Sequence, residues 1–424
     1  MSGIVQNNIL RSSGTVDVSA AGLNWSDTII TGSTATVEAG NGYWINTTSN
    51  TCTITLPSSA EKGDQIVLID YARTWGTNKI IIDSNGLNYQ GNADTYTVEY
   101  TTDGQSLNIV YSDATKGWLP LEDDVVAEAP SPPPTQKGIF AYGYSTNYTN
   151  LSNLVSSSGV VAADVTGVGT SRSKLAATTY GFDKAIFAYG NNGGFVSMSN
   201  LVSNSGVIAT DVTGVGTARI NLAATTYGTS GQAIFGFGSP GSGTGLSMTN
   251  LVNSSGVISA DVTGVGTVRY GLEAVAYGIS GQAMFAYGQV SGTKYSLKNL
   301  VSNTGVVASD TAGVGTARNY LGASLYGVGL AAFAYGNSGS VTNIKNLVNI
   351  SGVIASNVTG VGTSRDGLGS CSYGGDKGIF AYGISGSMVS LKNLMGNTGT
   401  IAADVTGVGT ARDQLAAAGY SISA

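Results

Sequence analysis

The chain has no histidine, which removes the commonest general base and the commonest metal ligand together. Without it no Ser-His-Asp arrangement can form. Its two cysteines, Cys52 and Cys371, lie far apart with no CxxC spacing. Neither disulfide stapling nor a cysteine-built metal site is expected, and no redox cue to a compartment is given. Charged residues make up only 10%, against roughly 25% in ordinary soluble domains. The formal net charge of -6 is opposite in sign to what phosphate binding needs, so nucleic acid is not an expected partner. No run of 18 apolar residues occurs, and the first 20 residues lack a basic segment followed by an apolar core. Neither membrane insertion nor a secretory signal is therefore expected. No EF-hand loop is present and no GxxxxGK[ST] phosphate loop, so no metal or cofactor is expected.

What is abundant is glycine, 62 residues in 424, as suits many short strands joined by tight turns. Much of it belongs to a repeat. Six near-copies of one segment open at Lys137, Lys184, Gln232, Gln282, Leu330 and Lys377, as KGIFAYG, KAIFAYG, QAIFGFG, QAMFAYG, LAAFAYG and KGIFAYG. Successive openings are 47, 48, 50, 48 and 47 residues apart, and the last copy runs 48 residues to Ala424. Periods of 40 to 50 residues with strand-like content indicate a propeller with one four-stranded blade per copy. The expected fold is all-β: a six-bladed β-propeller over residues 137–424, preceded by a small β-sandwich-like domain.

Within a copy, AIFAYG (Ala185–Gly190) reads as the second strand, SNLV as the third, VIATDVT as the fourth, and LAATTYG (Leu222–Gly228) as the innermost strand of the next blade. An arginine before the inner strand and an aromatic-glycine strand after it are similar to kelch-type propeller repeats, although the kelch tryptophan is missing from every copy. Because the copies begin at the second strand, the first blade lacks an inner strand of its own. Leu415–Ser421 is expected to pair with Gly138–Gly143 and close the ring, removing an exposed edge.

Residues 123–136, DDVVAEAPSPPPTQ, hold four of the seven prolines and read as a semi-rigid spacer. Residues 36–122 read as further short strands (GYWINTT, TCTITLP, QIVLIDY, NKIIID, TYTVEY and SLNIVYS) separated by turn signals. Residues 1–35 are less regular and read as an attachment arm or an early strand. Thr55-Leu-Pro57, Lys62-Gly-Asp64, Asp70-Tyr71, Asn78–Ile82, Asn85-Gly86, Val110–Asp113 and Lys116-Gly-Trp118 follow one another in order. This series resembles a domain recurrent in tail fibres and other virion proteins of tailed bacteriophages, over roughly Gly40 to Leu119. The resemblance implies a structural protein of the virion, often a trimer, with this region attached to other tail, baseplate or capsid proteins and the C-terminal module facing outward.

Six arginines recur in one register, Arg172, Arg219, Arg269, Arg318, Arg365 and Arg412, each after a GVGT turn. They could form a cationic ring at the pore mouth, but Asp164, Asp211, Asp261, Asp310 and Asp404 lie eight residues before five of them. A structural ion pair across each turn is expected. Arg365, preceded instead by Asn357, is then the arginine left available for a ligand. The Phe/Tyr pairs two residues apart, from Phe140/Tyr142 to Phe380/Tyr382, are expected to share a strand face and pack against a neighbouring blade. The asparagine of each NL pair is expected to hold a turn. The copies differ most between the aromatic strand and NL: YSTNYTNLS, NNGGFVSMS, SPGSGTGLSMT, QVSGTKYSLK, NSGSVTNIK and ISGSMVSLK. Variable loops on a rigid scaffold are where recognition usually sits. Tyr144, Tyr148, Phe195 and Tyr295 are candidate platforms for stacking sugars, with Asn147, Asn191 and Asn192 as amide partners. Taken together, these features lead to the expectation of a non-enzymatic receptor-binding protein that meets host-surface polysaccharide. The alternatives are a decoration protein without a receptor, and a polysaccharide-cleaving enzyme built on Glu273.

Overall fold

The computed structural model describes residues 23–95, 97–121 and 134–424. Among the described residues every regular element is a strand, and the chain divides into two compact units within the proline-rich stretch, at Pro130/Ser131. No helix of the described residues is long and apolar enough to cross a membrane.

In the first unit nine strands run β1 Asn24–Ile30, β2 Thr34–Thr36, β3 Asn41–Ile45, β4 Cys52–Thr55, β5 Gln65–Asp70, β6 Ile80–Asp83, β7 Val98–Tyr100, β8 Ser106–Tyr111 and β9 Trp118–Pro120. Two sheets form, ordered β1-β3-β5-β8-β9 and β2-β4-β6-β7. Alternate residues of both, among them Ile54, Ile66, Leu68, Ile80, Tyr100, Leu107 and Ile109, are buried in one shared core with Trp75 and Trp118. Two sheets share that core, but the winding is not that of an antiparallel sandwich. The chain alternates between the sheets as it advances, so β1 pairs β3, β3 pairs β5, β2 pairs β4 and β4 pairs β6 all in parallel. Alternating burial marks a half-buried strand and carries no information on the direction of its partner. A second correction concerns the expected arm. Residues 24–36 contain two strands that are integral to the sheets, and Trp25 stacks on Trp44 at 4.8 Å. Gly42 permits that stack, because a β-carbon there would stand 2.6 Å from the Trp25 ring. Residues 1–22 and 122–133, with the rest of the expected arm and most of the spacer, lie outside the described residues.

The second unit is built on six three-stranded sheets, each with an inner, a middle and an outer strand in antiparallel order, and two of its loops carry a small two-stranded hairpin, Gln289–Val290 with Thr293–Lys294 and Ile384–Ser385 with Ser387–Met388. From the second to the sixth they are Ala176–Tyr180, Lys184–Asn191, Phe195–Val202; Ala223–Tyr227, Gln232–Gly236, Thr249–Val252; Glu273–Tyr277, Gln282–Ala286, Lys298–Val301; Gly322–Leu325, Ala331–Ala334, Lys345–Val348; and Gly369–Tyr373, Lys377–Ala381, Lys392–Met395. The first sheet takes its inner strand from the C-terminus: Ala416–Tyr420 pairs with Lys137–Ala141, which pairs with Ser152–Val155. The expected fourth strand is instead an irregular segment tied to the outer strand at two points, such as Val155 with Val161 and Ser152 with Val165. Between those points the side chain of Asn153 donates to Ala162 O and to Asp164 Oδ1. A side chain thus takes the place of a backbone rung.

Each inner strand lies beside that of the next sheet, and that of the sixth lies beside Ala416–Tyr420, which lies beside that of the second. Two circuits of backbone hydrogen bonds run through all six sheets. At one end, Lys174 N–H donates to Gln414 O, Gln414 to Gly367, Gly367 to Tyr320, Tyr320 to Gly271, Gly271 to Asn221, and Asn221 back to Lys174, at 2.7 to 3.0 Å. All six residues have left-handed backbones, φ 51 to 64°. At the other end the hairpins do the same, from Gly181 to Gly231 through to Ser421 N–H on Asp183 O.

Candidate functional site

The repeated arginines build the joints between sheets. Arg172 is wholly buried; its Nε donates to Tyr189 O at 2.9 Å and its Nη2 to Asn200 Oδ1 at 2.7 Å, both in the second sheet. Its guanidinium lies 4.2 Å above the ring of Tyr142, in the first sheet. The same stacking recurs in all six copies, ending with Arg412 over Tyr382. No cationic ring faces solvent.

The ion pairs exist, but not between the partners expected. Arg172 faces Asp211, Arg219 faces Asp261, Arg269 faces Asp310 and Arg412 faces Asp164, at 4.0, 4.0, 3.5 and 3.8 Å. Each aspartate thus comes from the following copy, not from the same turn, because the arginine turns inward to the next sheet. Asp404 correspondingly serves Arg365, and the asparagine Asn357 falls opposite Arg318. Arg365 is therefore not free: it is fully buried and bonds Tyr382 O, Phe380 O and Asn393 Oδ1. Burial works against the charge of Asp211, but hydrogen bonds from Thr170 and Asn200 and the field of Arg172 hold its carboxyl below the ordinary aspartate value. Burial also lowers the guanidinium values, to about 10 for Arg269.

The aromatic pairs also depart from the expected geometry. Phe140 packs on Tyr382 of the sixth sheet, whereas Tyr142 packs on Phe187 of the second. Tyr142 has φ 65°, which breaks the strand alternation and turns the two rings to opposite neighbours. Every copy does this, so six Phe–aromatic contacts at 5.1 to 5.5 Å close the circuit.

The variable loops and the arginine turns emerge at one end. The residue that opens each loop pairs with the residue following an arginine: Tyr144 with Asp413, Asn191 with Ser173, Ser239 with Ile220, Gln289 with Tyr270, Asn337 with Asn319 and Ile384 with Asp366. Tyr144 and Tyr148 are half-buried and meet edge-to-face at 5.5 Å, and Asn147 between them is exposed. In the neighbouring second sheet Phe195 is 40% exposed. Asn191 and Asn192 spend their side-chain oxygens on Gly193 N–H and Gly194 N–H, which leaves their amide NH2 groups as the available donors. Tyr295 belongs to the fourth sheet, across the cycle from the first, and does not join this group.

Two carboxylates that sequence reasoning did not single out sit inside this end. Asp413 is 7% exposed and its Oδ1 has no hydrogen-bond partner. Burial and the nearby Asp366 push its carboxyl up to about 6, with Lys174 opposing. Asp366 accepts a bond from Asn337 Nδ2 at 2.9 Å. The residue that would do this for Asp413 is Ile384, which has nothing to donate. Asp413 is too enclosed to meet a polysaccharide; it belongs to the seam between the sixth and first sheets. The one sequence signal for it is that Asp366 and Asp413 replace the uncharged residues found after the other arginines.

The opposite end is a mouth of about 250 Å³ lined by Phe182, Tyr227, Tyr277, Tyr326 and Val328, together with Pro134 and Thr135. The chain therefore enters this unit at the hairpin end, and the variable loops are at the other. Among the described residues no group of three or more metal-ligating side chains occurs. Comparison of the sequence with protein-family models and with curated proteins finds no match.

Proposed function

We propose that residues 134–424 form a six-bladed propeller serving as a non-enzymatic binding module in a phage virion protein, and that its loop end meets a host-surface polysaccharide. The observation that carries this reading is a contrast within one fold. The aromatic contacts and hydrogen-bonded circuits recur in every copy and the arginine joints in all but one detail, at Arg318, while the six loops gathered at one end differ in length and sequence. A scaffold with repeated joints and unrepeated loops is suited to recognition. The best-formed platform is the Tyr144–Tyr148 pair with Asn147; in the second sheet Phe195, paired with Asn191, lays its ring against Gly241 of the third sheet's loop. Aromatic faces with amide donors beside them suit the apolar faces and hydroxyls of sugars. The assignment to a virion rests on the resemblance of the first unit's motifs to tail-fibre domains.

The test is saturable binding of the labelled full chain to bacterial cells, competed by their purified surface polysaccharides. Tyr144→Ala with Tyr148→Ala should weaken binding at least tenfold, and Tyr295→Ala should change it less than twofold. A folded chain that binds no cell or polysaccharide would move the assignment to a decoration protein of the particle. Release of reducing ends from the polysaccharide would reject the non-enzymatic reading.

A further inference from the structure

Six residues occupy the equivalent first place of the inner strands: Ala176, Ala223, Glu273, Gly322, Gly369 and Ala416. Five have no side chain beyond a β-carbon, and the sixth has a carboxylate. Glu273 lines two small cavities on the axis, of about 50 and 60 Å³. The first is bounded by the left-handed circuit and by Leu175, Leu222, Leu272, Leu321, Leu368 and Leu415, one leucine per sheet. All six inner strands bound the second. Each inner strand is bonded to its middle strand on one side only, so its other edge presents backbone N–H and C=O groups to the axis. Each cavity has room for an ion or a water, which needs roughly 10–15 Å³ on this measure.

Glu273 is half-buried, and its carboxylate is poorly provided for by the protein. It accepts one long hydrogen bond, from Ala274 N–H at 3.3 Å, and makes no ion pair among the described side chains. Lys174 borders the first cavity, but the carboxyl it acts on is that of Asp413. With no cation beside it, burial pushes the Glu273 carboxyl up to about 8. At pH 7 a carboxyl raised that far keeps its proton unless another single positive charge takes the proton's place; a divalent ion would leave an uncompensated charge among the neutral backbone groups.

We propose that the axis carries a monovalent-cation site, in which the Glu273 carboxylate and strand carbonyls facing the axis hold a partly dehydrated sodium or potassium ion. Such an ion ties the first residues of the inner strands together just inside the left-handed circuit, and so stabilises the closed arrangement against opening.

The experiment is thermal melting of the full chain in sodium, potassium, rubidium or choline chloride at constant ionic strength, repeated with Glu273→Gln. The expected result is a saturable rise of a few degrees in at least one alkali-metal chloride over choline chloride, absent in Glu273→Gln. Which salt gives the larger rise distinguishes sodium from potassium. An equal melting temperature in all four salts, or the same response in the variant, would overturn the proposal. So would a larger, saturable rise with calcium chloride than with any monovalent salt. If Glu273→Gln does not fold, crystals of the unaltered chain grown in rubidium chloride decide: an anomalous peak on the axis beside Glu273 supports the site, and none rejects it.

Discussion

At the scale of single residues, the arginine joints show why a charged side chain can be repeated six times in the interior of a low-charge protein. Each guanidinium gives its Nε to a backbone carbonyl and covers an aromatic ring with its face, and five of the six also give Nη2 to an asparagine oxygen, as Arg219 does to Asn250. A lysine could not reproduce that geometry. The joint of Arg318, between the fourth and fifth sheets, is the incomplete one. Asn357 stands where the others have aspartate, Arg318 Nη2 reaches Phe333 O at 3.4 Å, and Asn346 Oδ1 is left without a partner. Asn357→Asp should therefore stabilise the chain by roughly 0.5–1 kcal/mol at pH 7, since these carboxylates are one-quarter to one-third exposed and solvent screens them. The aspartates of the intact joints are held below their ordinary value. A group lowered in this way stabilises above its unfolded value and loses that contribution as pH falls through the folded one. Melting curves of the variant and the parent should differ at pH 7 and converge below about pH 4.

The closing strand is the most consequential single element. Ala416–Tyr420 supplies the inner strand of a sheet whose other strands are some 270 residues earlier, and the residues around it take part in both circuits through Gln414 and Ser421. Deleting residues 413–424 removes one link from each circuit and bares the edge of Lys137–Ala141, an invitation to intermolecular pairing. The truncated chain should lose at least 10 °C of melting temperature or aggregate on expression; a melt matching the intact chain would show that closure contributes nothing. The strand elements themselves were legible, because alternating apolar residues and Gly-rich turns mark them locally. Their pairing was not, as the parallel winding of β1 to β6 illustrates. Nor was the irregular fourth segment legible, since VIATDVT has the composition of a strand and is diverted only by an asparagine side chain from its neighbour.

For the whole molecule, continuity around the cycle implies cooperativity. Every sheet of the second unit is bonded to both neighbours at both ends, so no sheet can leave without breaking bonds in two others. Calorimetry of the full chain should show this unit melting in one transition, with calorimetric and van't Hoff enthalpies in agreement. The first unit, with its separate core, should contribute a transition of its own. Stepwise melting of the second unit would mean that the circuits are weaker than the cores of individual sheets.

The sequence alone determined the all-β composition, the number of copies, their boundaries and the segment that closes the cycle. These follow from periodicity and from the place where the repeat starts, both of which are properties of the chain in order. It also marked the loops that vary. Only the tertiary structure decided who pairs with whom. Asp164 lies eight residues from Arg172 in the sequence yet serves Arg412, because each arginine crosses to the next sheet. The Phe and Tyr two residues apart face opposite neighbours because one backbone angle is left-handed. Tyr295, alike in type to Tyr144, is separated from it by the width of the cycle. Glu273, one acidic residue in a list of inner-strand residues, becomes an isolated carboxylate on the axis only when six strands are brought around it. Each of these depends on a relation between copies, and spacing within one copy does not encode it.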